Sequence, residues 1–347
     1  MSGVFVCGLG AVSAAGWDVA SLRQVLQDET PVPSQQLARP DGAKPLQARL
    51  VPAPLSRPAF LAHPRLRRAS PITQYAASAA LEALRQVPGT SQPARPLGLV
   101  VCLQSGCVQY SSRFFEETLR DPATASPLVF PETVFAAPAS HIATLLENVT
   151  VTSTLVGDPA CFLQGIALAV DWLQDERIDS CLVIGAEENH WVRSDALSHF
   201  QHSAVISCGA GALCLSLNSA FSLGVELGLI TDAHTFSANM TRAGAAMAMR
   251  MQLPPGTPGE LLCDSQDDSP RVDAPERAAW RDWPGRRLSL KPLLGEGLMA
   301  AAAWQCVMAC DAVATRTTPA ATVSIVGCNQ QAIGARFVAS RQIQAPV

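Results

Sequence analysis

Charge is scarce in this chain. Of 347 residues only 16% are Asp, Glu, Lys or Arg, and the net charge is −4. No long basic run occurs; Arg65, Arg67 and Arg68, in His63-Pro64-Arg65-Leu66-Arg67-Arg68, form a short cluster. Nucleic acid is therefore not expected as the main partner, because binding a phosphate backbone rests on many cationic contacts. The 11 cysteines include no CxxC pair, and no histidine lies beside a cysteine pair. That spacing argues against a zinc site, and neither a metal nor a cofactor is expected. No apolar stretch reaches the length of about 18 residues that a membrane span needs. Met1 to Gly16 has no basic leading segment, so no signal peptide is expected either. Histidine also runs out: the six are His63, His141, His190, His199, His202 and His234, with none beyond.

Apolar residues, by contrast, make up 48% of the chain, enough for a sizeable core, and its 347 residues suffice for two domains or one large duplicated one. Cys7, Cys102, Cys181, Cys208, Cys214, Cys306 and Cys310 lie inside apolar runs. Reduced, buried thiols behave this way, and the cytoplasm is the expected location.

Apolar runs and turn residues then divide the chain. Val4–Gly8 reads as a short strand, with Gly8, Gly10 and Gly16 at a turn. The glycine pattern is too loose for a dinucleotide site, since no acidic residue follows at the expected distance. Asp18 caps a helix over 18–27. Residues 28–64 hold eight prolines including Pro31 and Pro64, and read as an extended surface excursion. Helices are expected over 70–86, 114–119, 138–146, 161–173, 240–251, 274–280 and 295–313. Strands are expected over 97–103, 149–156, 179–186, 205–217, 224–231 and 260–264, with 321–327 as the terminal strand. This alternation indicates an α/β fold in two related halves, assigned to 1–217 and 218–347.

One stretch has a geometry suited to chemistry. The β-branched run Val149–Val156 meets the helical run Cys161–Leu173 at a Gly157-Asp158-Pro159 corner. Strand, tight corner and helix place a group at a helix N-terminus, where free N–H groups favour an anion.

At this corner, and over nearly its whole length, the chain resembles the β-ketoacyl-ACP synthases of the thiolase superfamily. Val4–Gly16 resembles the family's opening glycine-rich segment. Gln74–Leu84 is similar to its first long helix, and Phe130–His141 to its entry into the dimer region. Asp179–Glu187 resembles the strand ending in GGAE. Ser207-Cys208-Gly209-Ala210-Gly211-Ala212 loosely matches GDGAG. Asp273 and Glu276, with Pro270, fit PxxDxxE, and Lys291–Glu296 fits KSxxGH. In this order and at these separations the motifs are specific. The resemblance implies a thiolase-like five-layer αβαβα fold with two pseudo-symmetric halves, the C-terminal one shortened. It also implies an obligate dimer paired through Val149, Val151, Ser153 and Leu155, an acyl tunnel, and an acyl carrier protein as partner.

The departures from the family bear on function. Its condensing members use a corner Cys thiolate and two histidines. Here the aligned positions hold Pro159, Ser265 (beside Asp264) and Glu296. Proline has neither N–H nor nucleophile, and an anionic Glu296 would repel an enolate. No catalytic residue is therefore expected. Lys291, Asp273, Glu276 and Asn329 would surround a former active site, and the final loop reads Val326-Gly327-Cys328-Asn329-Gln330-Gln331 instead of GFGGTN. Such a chain resembles the chain-length factors, non-catalytic partners of an active ketosynthase in type II polyketide and aryl-polyene systems, although the best-known of these carry Gln at the Cys position. The alternative is a divergent synthase or acyltransferase using Cys161, two residues past the proline.

Other residues leave two readings each. Lys291 and Glu296 form either an ion pair in the former site or a surface pair. His141 lines a cleft or sits in a core or interface. The Arg65 cluster docks an acidic carrier protein or is a solvated loop. Asp267 and Asp268 lack converging oxygens, so no cation site is expected there.

Overall fold

The computed structural model describes residues 3–87, 96–201 and 204–340; His202 lies outside them. The first half contains β1 (Val4–Val12), α1 (Val19–Asp28), β2 (Gln35–Leu37), β3 (Leu46–Arg49), α2 (Pro71–Arg85), β4 (Leu97–Leu103), α3 (Val108–Arg120), α4 (Ala137–Leu146), β5 (Val149–Val156), α5 (Cys161–Gln174), β6 (Ser180–Glu187), α6 (Trp191–Ser198), β7 (Ile206–Ser207) and β8 (Gly209–Ser216). The second contains β9 (Val225–Ile230), β10 (His234–Thr235), α7 (Arg242–Gln252), β11 (Leu261–Asp264), α8 (Pro270–Ala279), β12 (Arg286–Ser289), α9 (Lys291–Leu294), α10 (Met299–Ala314), β13 (Ala320–Val326) and β14 (Gln331–Ala339).

The main sheet runs β12-β11-β13-β14-β9-β1-β8-β6-β4-β5. Its two ends repeat one plan. From the outer edge inwards, each half places its third, second, fourth, fifth and first main strand. The outer three strands are parallel in both halves, and the inner two run antiparallel to their neighbours. The halves meet where β1 pairs with β9, Val4 opposite Leu227 and Val6 opposite Val225. A duplication invisible in residue identities is thus visible in strand order.

Period-two alternation builds the layers. On β4, Val100 and Cys102 face a central core shared with α5, α10 and the second-half strands β11, β13 and β14. Leu99, Val101 and Leu103 face the other way, onto α2 and α4. The second half covers its outer face with α7 and α8, around Met249 and Trp280. Helix, sheet, helix, sheet, helix: these are the five expected layers. Helix α10 is buried along nearly its whole length, which fits a sequence apolar on every side.

Several expectations are corrected. Gly8 and Gly10 do not turn; both lie within β1. A Cβ on either would clash with the backbone carbonyls of Ala83 and Ala79 on α2. Glycine there permits the helix, lined by buried Ala76, Ala79, Ala80 and Ala83, to lie directly on the strand. Gly10→Ala should therefore cost about 1–3 kcal/mol by overpacking. Urea unfolding would measure it; an unchanged midpoint would sink this reading.

The 28–64 excursion is not all extended surface. Its β2 and β3 form a small sheet with β7, and Arg49 donates to Val32 O (2.6 Å) and Pro292 O (2.9 Å). Helix α3 starts six residues before the expected Phe114, at Val108, because the Glu188 carboxylate receives Gln109 N–H at 2.7 Å near its start. Helix α10 starts at Met299, since Gly295 and Leu298 hold positive φ (91° and 49°) and break the run that precedes it. The expected terminal strand is followed by another, β14, whose Arg336 is neutralised by Glu260 at 2.6 and 2.8 Å. Among the described residues no helix is long and apolar enough to cross a membrane.

Candidate functional site

The corner forms at the C-terminal ends of parallel strands, where α/β sheets open clefts. Gly157 N–H donates to Leu103 O at 3.1 Å, extending the β4–β5 pairing by one step. Cys161 N–H then donates to Asp158 O (2.8 Å) and Phe162 N–H to Pro159 O (3.2 Å), so α5 begins as a tight turn. Pro159 is buried and supplies neither donor nor nucleophile.

Asp158 takes on a different task. Its carboxylate Oδ2 accepts Gln330 N–H (2.9 Å) and Gln331 N–H (3.3 Å), while its own N–H donates to Gln330 Oε1 (3.1 Å). Gln331 Nε2 also reaches Gln164 Oε1 on α5 at 2.9 Å. The first-half corner and the loop between β13 and β14 are thereby clasped together. Burial raises the Asp158 carboxyl above its ordinary range, against the N–H groups that lower it.

Cys161 is buried on the first turn of α5. Burial, and secondarily Asp158, pushes its thiol up to about 11, the reverse of what a nucleophilic cysteine needs. Among the described residues no histidine hydrogen-bonds to the corner. His141 sits against Glu132 at 2.9 Å, His190 caps α6, and His63 accepts Arg65 N–H.

In the second half Ser265 is a tie. Its Oγ donates to Glu276 Oε2 (2.7 Å) and accepts Val326 N–H (3.2 Å), and its own N–H also donates to Glu276. Ser324 Oγ donates to the same carboxylate and accepts Trp280 Nε1–H at 2.8 Å. Burial and the nearby Asp264 push Glu276 up to about 8. Asp273 receives Asp267 N–H at 3.2 Å and closes the loop after Ser265.

The Lys291–Glu296 pair is not a surface pair. Nζ lies 2.6 Å from Oε2, with the side chains only 8% and 3% exposed. Glu296 Oε1 also accepts Leu298 N–H at 2.7 Å, fixing the left-handed backbone of Leu298. Burial lowers the Lys291 pKa, but Glu296 and Asp267 overcome this and raise it. Asp267 is pushed up to about 6 by burial, with Lys291 opposing. Cys328 stands between this pair and the corner. Gln104 Nε2–H points at its sulfur (3.5 Å), and burial, followed by Asp158, pushes its thiol up to about 11. Asn329 lies exposed on the same loop.

The structure thus gathers Cys161, Lys291 and Glu296 around Asp158 and Cys328. It places Ser265, Asp273 and Glu276 in an adjoining buried network. Sequence reasoning missed the roles of Asp158, Gln104, Cys328 and Gln330. Only the Asp beside Pro159 carried a signal, a carboxylate at a helix start. Among the described residues no group of three or more His, Cys, Asp and Glu could hold a metal.

One further surface belongs here. Strand β5 ends the sheet and pairs only with β4 among the described residues. Val149, Val151, Ser153 and Leu155 are half-buried, while Thr150, Thr152 and Val156 are exposed. Elsewhere in the first half Phe115, Leu119, Phe130 and Phe135 are also exposed, with Phe130 held 5.4 Å from Phe114.

Five layers from two halves of one strand plan, with a strand–corner–helix after the edge strand β5, define a thiolase-like fold, the fold of ketosynthases. Three solved structures are similar to the chain over 98% of its length and 100% of theirs, each at 16% identity. They are the ishigamide ketosynthase/chain length factor (TM-score 0.82), a β-ketoacyl synthase from Burkholderia phymatum STM815 (0.81), and a type II polyketide acyl-carrier protein in complex with its ketosynthase bound to the hexaketide (0.79). No family model and no curated protein matches the sequence.

Proposed function

We propose that this chain is a non-catalytic, chain-length-factor-like subunit that pairs with an active ketosynthase and shapes its acyl or polyketide chain. The observation that carries the reading is the corner. Asp158 and Pro159 form a clasp that offers no nucleophile, and Glu296, at the position that the resemblance gives to the second histidine, is ion-paired with Lys291. In this reading the two thiolase-like halves, 1–217 and 218–347, remain as scaffold. Val149, Val151, Ser153 and Leu155 carry the pairing strand, whose free edge suits a protein partner. The exposed Arg65, Arg67 and Arg68 supply a basic surface for an acidic acyl carrier protein.

The test has two arms. Purified alone and given acyl- and malonyl-carrier protein, the chain should yield no condensation product. Intact mass after incubation with an acyl thioester should show no adduct. An adduct that disappears in Cys161→Ala would establish the divergent-synthase reading instead. Co-expressed with a catalytic ketosynthase, the chain should elute as a heterodimer; a persistent homodimer would count against the pairing.

A further inference from the structure

Away from the corner, a cleft of about 410 Å³ opens between the 51–61 segment, Trp17 and the start of α2. Its walls include Trp17, Pro52, Pro54, Leu61 and Tyr75, with Arg57 at its edge. The volume lies in the range of about 300–1,000 Å³ typical of small-molecule sites. The aromatic wall is fixed in place. Trp17 Nε1–H donates to Pro52 O at 2.7 Å, and its ring meets Tyr75 edge-on at 5.7 Å between centroids.

The charge around the cleft is one-sided. Every lining residue except Trp17 falls within 51–75. No Asp or Glu occurs between Asp41 and Glu82, whereas Lys44, Arg49, Arg57, Arg65, Arg67 and Arg68 do. In a chain of net charge −4 this is a local inversion of sign. Arg49 is committed to backbone carbonyls. Arg57 is not committed: it makes one long hydrogen bond, to Leu61 O at 3.4 Å, and pairs with no carboxylate among the described residues. A guanidinium presents parallel N–H groups that match a carboxylate, and aromatic and proline rings favour a flat apolar body.

We propose that this cleft binds a small planar carboxylate, its anion on Arg57 and its apolar ring against Trp17 and the prolines. The ligand is a single molecule recognised by both features together. Neither an anion alone nor an uncharged ring satisfies the site.

Isothermal titration of the full chain tests this with benzoate, benzamide and acetate as probes. Benzoate should bind saturably, and benzamide and acetate each about tenfold or more weakly, the ratio that about 1.4 kcal/mol produces. Arg57→Gln, at an exposed position, should weaken benzoate by a similar factor with an unchanged circular dichroism spectrum. Trp17→Leu should do the same for benzoate. Equal binding of benzoate and benzamide, an unchanged isotherm in Arg57→Gln, or no saturable benzoate binding overturns the proposal. If benzoate fails while Arg57→Gln weakens binding of an acidic carrier protein, the cleft belongs to a protein-docking surface and the small-ligand assignment falls.

Discussion

Lys291→Met will destabilise the chain by about 3–5 kcal/mol, the cost of stranding one charge of a buried pair. The pair stands 2.6 Å apart with almost no water contact. Removing the ammonium leaves Glu296 with only the Leu298 N–H as donor to its side chain, inside a site that already holds Asp267. The midpoint of urea unfolding, followed by tryptophan fluorescence, should fall accordingly. The double variant Lys291→Met/Glu296→Leu should recover more than half of the loss, because an apolar pair of similar volume carries no stranded charge. A single-variant loss below about 1 kcal/mol would match an exposed pair and contradict the buried geometry.

The second large effect concerns pH. Glu276 is pushed up to about 8 by burial and by Asp264, from an ordinary value of 4.5. The folded state therefore holds this proton more tightly than the unfolded chain does. The sign follows: the stabilisation is complete below about pH 4.5 and is lost as pH rises through about 8. Glu188 and Glu82, each pushed up to about 7 chiefly by burial, act in the same direction over a narrower window. The contribution of Glu276 is on the order of 5 kcal/mol across this window. Glu276→Gln keeps an acceptor for Ser265 N–H, and the rotatable hydroxyls of Ser265 and Ser324 can accept from its amide. Stability of this variant should be flatter between pH 5 and pH 8 than that of the parent. Parallel curves for the two proteins would refute the assignment.

Local signals carried much of the fold. Strand β4 matches its expected bounds, and α5 matches within a residue, because unbroken apolar runs and turn residues mark them. Gly8 and Gly10 were misread because the reason for them, α2, lies some seventy residues further along the chain. Strand β14 escaped notice because Gly334 and Arg336 interrupt its apolar run, and Arg336 is neutralised only by distant Glu260.

The candidate site was legible as a position more than as a mechanism. The corner was evident from strand and helix patterns, but the partner of Asp158 is at Gln330, 172 residues away. Lys291 and Glu296 lie close in sequence, yet only tertiary burial decides whether such a pair is solvated. Ser265 became a tie because Glu276 of α8 and Val326 of β13 converge on it from two further elements.

The seam between the halves also sets the order in which the chain can assemble. Strand β1 pairs with β8 and β9 and not with the strands that directly follow it in the chain. The indole N–H of Trp304 donates to Val12 O and Ala210 O, and Arg23 grips Asp311 across 288 residues. During synthesis β1 must wait for its partner β8 until more than 200 residues have followed it. Such long-range closure makes folding slow and leaves nascent chains open to aggregation. The chain should therefore refold poorly from denaturant at high concentration and gain most from chaperones while it is still on the ribosome.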